Sequence, residues 1–122
     1  MKAALIRYAR WLRASYDFPV RVPVYLSSKE MITTMHGEQV CASFFAPWSR
    51  KDEPYIRIAT GDYPALKRAS GRDDALAAFI TSLSHEIIHY MQWLETGDTS
   101  ERGVALKARS MLRAYAHTVD RP

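Results

Sequence analysis

The segment His85-Glu86-Ile87-Ile88-His89 constrains this chain more than any other. Apolar residues recur at helical spacing around it, from Leu76 to Leu94, so the five residues read as part of one long helix. At about 3.6 residues per turn, His85 and His89 stand one above the other and can each point a ring nitrogen at a single ion. Glu86 lies about 100° further round, where its carboxylate can reach water at that ion without being a ligand. Two imidazoles with a carboxylate beside them form the HExxH arrangement that binds zinc, and zinc is the cofactor expected here. The carboxylate is then placed to take a proton from the attacking water and return it to the leaving group.

The flanking residues fit a cleft-lining helix. With His85 at zero on a helical wheel, Leu76, Ile80, Leu83, Ile87 and Leu94 fall within about 40° of the opposite pole, and Phe79 and Tyr90 lie beside them. On the histidine side stand Ala78, Thr81 and Gln92, which are small or polar and leave room above the helix.

A catalytic zinc site usually has three protein ligands and one open position, so a third is expected downstream. Glu95-Thr96-Gly97-Asp98-Thr99-Ser100 reads as a helix end, a glycine turn and a new N-cap, with helical spacing resuming from Glu101 to His117. A short turn folds the second helix back against the first and returns Glu101 toward the histidines. Glu101 is therefore the expected third ligand, although with Asp98 as N-cap the same carboxylate would stabilise a helix start with no metal present. Glu95 and Asp98 are the alternatives. On an unbroken helix Glu95 points roughly 240° round from His89, away from the ion.

The run Ser84-His85-Glu86-Ile87-Ile88-His89-Tyr90-Met91-Gln92-Trp93, followed by Glu101-Arg102 and by Ala105, Ala108, Met111 and Leu112 at helical spacing, resembles small gluzincin-type metallopeptidase domains. These are the minigluzincins and their relatives of the ImmA/IrrE type. The resemblance covers roughly the last fifty residues. It implies a zinc-dependent peptidase with His85, His89 and Glu101 as ligands and Glu86 as general base or acid. Larger gluzincins add a His or Tyr that steadies the tetrahedral oxyanion, and no residue of this sequence matches it. Tyr115 and His117 lie fourteen and sixteen residues beyond Glu101, which on one helix is over about 20 Å away.

The remainder of the 122 residues, 48% of them hydrophobic, suffices for one compact domain, and residues 1–122 read as a single minimal zincin-like unit. Lys2 to Tyr16 has the spacing of an amphipathic helix, with Leu5, Tyr8, Leu12 and Tyr16 on one face; Asp17-Phe18-Pro19 ends it. Val20, Val22, Val24 and Leu26 alternate with Arg21, Pro23 and Tyr25, a strand whose proline predicts an edge or an early position. Cys41 to Ala46 and Tyr55 to Ala59 are two more strands, joined as a hairpin by the polar turn 47–54; residues 29–40 read as a loop. The expected fold class is α+β, zincin-like: an N-terminal helix, a small three-stranded sheet, a long HExxH helix and a closing C-terminal helix. In zincins an extended substrate lies against an edge strand above the metal, and the resemblance nominates Cys41 to Ala46 for that place.

A formal charge of +4 invites a nucleic-acid reading. The basic residues are scattered, and only Lys2, Arg7, Arg10 and Arg13 form a patch, so a weak nucleic-acid contact through the first helix is the most that charge supports. Peptidase domains of the SprT type, which act on proteins attached to DNA, use a third histidine where this chain has Glu101. The single cysteine, Cys41, excludes an internal disulfide and reads as a small buried strand residue, and His36 beside Gly37 reads as part of an exposed turn. Arginines interrupt the first helix where a signal peptide needs an apolar core, and no run approaches about twenty apolar residues. A cytoplasmic protein that makes no membrane contact is expected.

Two functions are therefore weighed. The first is a zinc-dependent metallopeptidase acting on a peptide or protein substrate, with Glu86 activating water. The second is a latent or catalytically silent zinc-binding regulatory module of the same fold, to which the missing oxyanion partner lends some weight. A nucleic-acid-binding domain with an incidental HExxH is a third, weaker reading and predicts no zinc.

Overall fold

The computed structural model describes residues 1–49 and 51–119. In chain order its elements are α1 (Lys2–Ser15), β1 (Val24–Ser27), β2 (Ile32–Thr33), β3 (Gln39–Val40), β4 (Ala42–Phe45), β5 (Tyr55–Ala59), α2 (Tyr63–Ser70), α3 (Arg72–Thr96) and α4 (Val104–Val119). The class is α+β, with four helices and a three-stranded sheet.

The sheet has the order β1-β5-β4. β5 is its central strand because alternate β-branched side chains are buried: Ile56 and Ile58 have no exposure, while Arg57 between them points the other way. β4 pairs with it antiparallel, the expected hairpin, and β1 pairs with it parallel. Both outer strands thus keep one edge without a ladder partner in this sheet. β1 starts only after Pro23, shorter than the alternation from Val20 predicts, because proline has no N–H to give a ladder. Residues 29–40, expected as a loop, hold a two-stranded hairpin of β2 and β3 that places His36 in its exposed turn.

One helix was not anticipated. α2 begins with Pro64 in its first turn and carries Lys67 and Arg68 in its last, both placements that favour a short helix. Gly71, at φ 87°, then separates it from α3.

α3 spans 25 residues. Asp73 and Asp74 sit in its first turn, opposite in sign to the positive end of the helix dipole, and Gly97 stops it in the left-handed region at φ 77°. Its middle is buried nearly all round, including Ser84, Glu86, Ile87, Ile88, His89 and Tyr90. Of the flank expected above the histidines, Ala78 is exposed and Thr81 and Gln92 are half-buried. α1 packs on it through Leu5, Tyr8 and Leu12, with Tyr8 hydrogen-bonded to Ser84 deep in the core. Tyr115 of α4 packs edge-on against Tyr8 at 4.8 Å. β4 is held against α3 by Phe44, whose ring meets those of Tyr90 and Trp93 edge-on. Trp93 Nε1 also donates to Pro47 O at 3.1 Å, and Tyr90 donates its hydroxyl to Val20 O. These contacts set the distance between β4 and the histidine-bearing turns of α3.

Lys2, Arg7, Arg10 and Arg13 are exposed on the outer face of α1. Cys41 is exposed as well, contrary to the expected buried strand position, because it falls on a bend between β3 and β4. No helix among the described residues is long and apolar enough to cross a membrane.

Candidate metal centre

His85 and His89 occupy successive turns of α3 with ring centroids 4.9 Å apart. Ligand-type atoms of His85, Glu86 and His89 lie within 4.8 Å of one another, a His-Glu-His group close enough to hold a metal ion. Helical spacing alone accounts for this much.

Glu101 reaches the same point from another element. Its Oε2 lies 3.0 Å from His85 Nε2 and its Oε1 lies 2.8 Å from His89 Nε2, so one carboxylate faces both imidazoles. The expected position of Glu101 in the first turn of the closing helix is corrected, since α4 begins at Val104. Glu101 belongs to the connection 97–103, which has a left-handed glycine near each end, Gly97 at φ 77° and Gly103 at φ 74°. Asp98 does not cap α4. Its Oδ1 accepts from Thr99 N at 2.9 Å, while Thr96 Oγ1 accepts from Asp98 N and donates to Gln92 O, stitching the start of the turn to α3. Glu95 is exposed on the last turn of α3. The His-Glu-His group itself includes none of Glu95, Asp98 and Glu101; among the described residues, Glu101 is the one of the three with contacts to the histidines.

The connection is fastened further by Gln92. Its Oε1 accepts from Ser100 N at 3.0 Å and its Nε2 donates to Ser100 O at 2.9 Å. The same Oε1 lies 3.0 Å from His89 Nδ1. Sequence reasoning placed Gln92 on the histidine side only as a polar neighbour. Its position three residues after His89, on the same face of a helix, was the available signal.

Glu86 is buried, 6% exposed, and its Oε2 has no hydrogen-bond partner. Burial pushes its carboxyl from 4.5 up to about 7; nearby His89 opposes the rise and Glu101 adds to it. A buried carboxylate oxygen without a partner costs free energy unless a proton, water or cation meets it. Two imidazole nitrogens and a carboxylate converging beside it are the donor set that zinc favours. Two ligands about 2.0–2.1 Å from a tetrahedral ion stand about 3.3 Å apart. The observed separations of 2.8 and 3.0 Å are a few tenths shorter, so the residues fit such an ion with a small outward shift of the exposed Glu101 side chain.

The cleft beside this cluster has a volume of about 210 Å³ and is bordered by Thr34, Val40, Ala42, Phe44, Thr99 and the three groups Glu86, His89 and Glu101. A larger groove of about 570 Å³ lies between α1 and the segment leading into β1, but it is walled by residues such as Leu12, Val22, Leu83 and Ile87 and contains none of the candidate residues. Tyr115 is buried against Tyr8 and Trp11 in the core, in keeping with the expectation that it does not serve the centre. Comparison with models of known families, with characterised proteins and with solved structures found no match.

Proposed function

We propose that this protein is a zinc-dependent peptidase of the gluzincin type, in which His85, His89 and Glu101 hold the ion and Glu86 is the general base and acid. One observation carries the reading: the two Nε2 atoms face a single carboxylate at 3.0 and 2.8 Å, with the unpartnered oxygen of buried Glu86 alongside. Zinc bound there supplies a Lewis acid for the scissile carbonyl and lowers the pKa of water to about 7.

The chain's own groups do the rest. Glu86, buried beside the proposed ligands with one oxygen unpartnered, is placed to take a proton from water and pass it to the leaving amine. Ala42, Ser43 and Phe44 of β4 border the cleft, and β4 has no neighbour on its outer side in the sheet. An extended peptide adding to that edge would be held by main-chain hydrogen bonds, which give affinity with little sequence preference. The zincin-like fold enters here on the order of its elements and on this placement of β4.

A second reading, the zinc-binding regulatory module without turnover, is favoured by the composition of the cleft. Among the residues bordering it, the only imidazole is the proposed ligand His89, and no tyrosine is present to steady an oxyanion. Incubation of the zinc-loaded protein with an unfolded protein substrate separates the two. Cleavage that disappears in Glu86→Gln while zinc is retained supports the peptidase. Full zinc occupancy without cleavage in the unmodified chain supports the regulatory module.

A further inference from the structure

We infer that Gln92 is the positioning residue of this centre: it selects the tautomer of His89 that turns a lone pair on Nε2 toward the metal, and it anchors the segment that carries Glu101. The inference rests on the zinc-site reading above and deepens it.

The argument starts from Ser100, because its main-chain groups have fixed polarity. An N–H can only donate and a C=O can only accept. Ser100 N meets one end of the Gln92 amide at 3.0 Å, so that end is Oε1; Ser100 O meets the other end at 2.9 Å, so that end is Nε2. Turning the amide over would set two donors against each other and two acceptors against each other. Its orientation is thus determined by chemistry.

Oε1 also faces His89 Nδ1 at 3.0 Å. An amide oxygen cannot donate, so Nδ1 must carry the proton, and in the neutral ring Nε2 then carries the lone pair. That same Nε2 stands 2.8 Å from Glu101 Oε1, also an acceptor, so a cation or a proton has to lie between them, and the zinc reading puts the ion there. One uncharged side chain therefore orients the first ligand helix and, through the residue next to Glu101, the connection 97–103. The contacts of Gln92 are to His89 and Ser100, so it acts through His89 and the connection that carries Glu101. Outer groups of this kind typically change metal affinity by about 10- to 100-fold.

The test uses the whole chain with zinc as the only probe. In metal-free Glu101→Ala, which has no carboxylate to draw a proton onto His89 Nε2, and at a pH where the imidazoles are neutral, ¹⁵N shifts of the histidine rings report the tautomer with and without Gln92; a competing chelator reports zinc affinity in the chain that keeps Glu101. With Gln92 in place, His89 of that protein should be protonated at Nδ1. Gln92→Met, close in size and without the amide, should lose that preference and bind zinc about 10- to 100-fold more weakly. Gln92→Glu, which keeps an acceptor, should retain the tautomer and recover part of the affinity. His89 protonated at Nε2 in Glu101→Ala with Gln92 in place would overturn the inference, even if Gln92→Met failed to fold. So would a Gln92→Met variant with unchanged tautomer and affinity within about twofold of the unmodified chain. If the unmodified chain bound no zinc, the metal reading would fail, whereas the tautomer comparison would still decide the role of Gln92 toward His89.

Discussion

Glu101 Oε1 lies 2.8 Å from His89 Nε2, although His89 stands on α3 and Glu101 in the connection bounded by the left-handed glycines 97 and 103. The same carboxylate meets His85 through its other oxygen at 3.0 Å. The proposed ligand set therefore depends on two helical turns and one loop, and the two parts fail differently when altered.

Purified without added metal, the unmodified chain is expected to carry about one zinc per molecule. His85→Ala removes a helix-borne ligand and abolishes binding, whereas Glu101→Ala leaves both imidazoles and weakens it. Elemental analysis of the three proteins checks this. Equal zinc in all three, or none in any, would contradict the assignment.

Stability of the metal-free protein should fall as pH rises, because the folded-state pKa of Glu86 is raised. The folded chain still holds the Glu86 proton where the unfolded chain has lost it, so the contribution is complete below 4.5 and gone above about 7. At about 1.4 kcal/mol per pH unit, that interval corresponds to at most about 3–4 kcal/mol. Glu86→Gln has no such proton to lose. Denaturant titrations at pH 5 and pH 8 should show a smaller decline in Glu86→Gln than in the unmodified metal-free protein; parallel declines would show that burial of Glu86 is not felt energetically.

Tyr8→Phe tests how α1 is tied to the metal-bearing helix. It removes the hydroxyl bonded to Ser84, while Ser84 Oγ keeps its bond to Ile80 O at 2.8 Å, so no buried group is stranded. The expected loss is about 1 kcal/mol in denaturant unfolding, with zinc binding unchanged. Tyr8→Ala also empties a ring site with no exposure and should cost about 3–5 kcal/mol.

Gly61→Ala should be destabilising for reasons of space. A Cβ at 61 would stand 2.5 Å from Ser28 O, 2.6 Å from Lys29 C and 2.7 Å from Glu30 N, all main-chain atoms that cannot rotate away. This contact joins the end of β5 to the chain leaving β1, where Gly61 N donates to Lys29 O at 2.8 Å. A loss of at least about 1–3 kcal/mol is expected from thermal or chemical unfolding. A variant as stable as the unmodified chain would mean that this crossing yields easily.

Much of the arrangement was legible from local periodicity. Four-residue spacing is enough to put His85 and His89 on one side of a helix, and the helix itself follows from the apolar repeat between Leu76 and Leu94. The strand read between the polar turn and Ala59 matches β5 to the residue, and the one before that turn matches β4 to within one residue at each end. α2 was missed because its eight residues bury no side chain fully and so carry little apolar signal, with Pro64 and Gly71 as the only strong punctuation. Cys41 was misplaced because its apolar neighbours suggest a buried strand, while a bend turns it outward.

The sequence by itself thus determined the pairing of the two histidines, the place of Glu86 beside them and most of the elements around them, since each depends on backbone repeats of a few residues. Only the tertiary structure decided that Glu101 meets both imidazoles from a loop, that Glu86 is buried with one oxygen unpartnered, and that Gln92 holds His89 and Ser100 together. Those relations depend on the path of a glycine-bounded turn and on packing from β4 and α4, and no local repeat encodes where such a path returns.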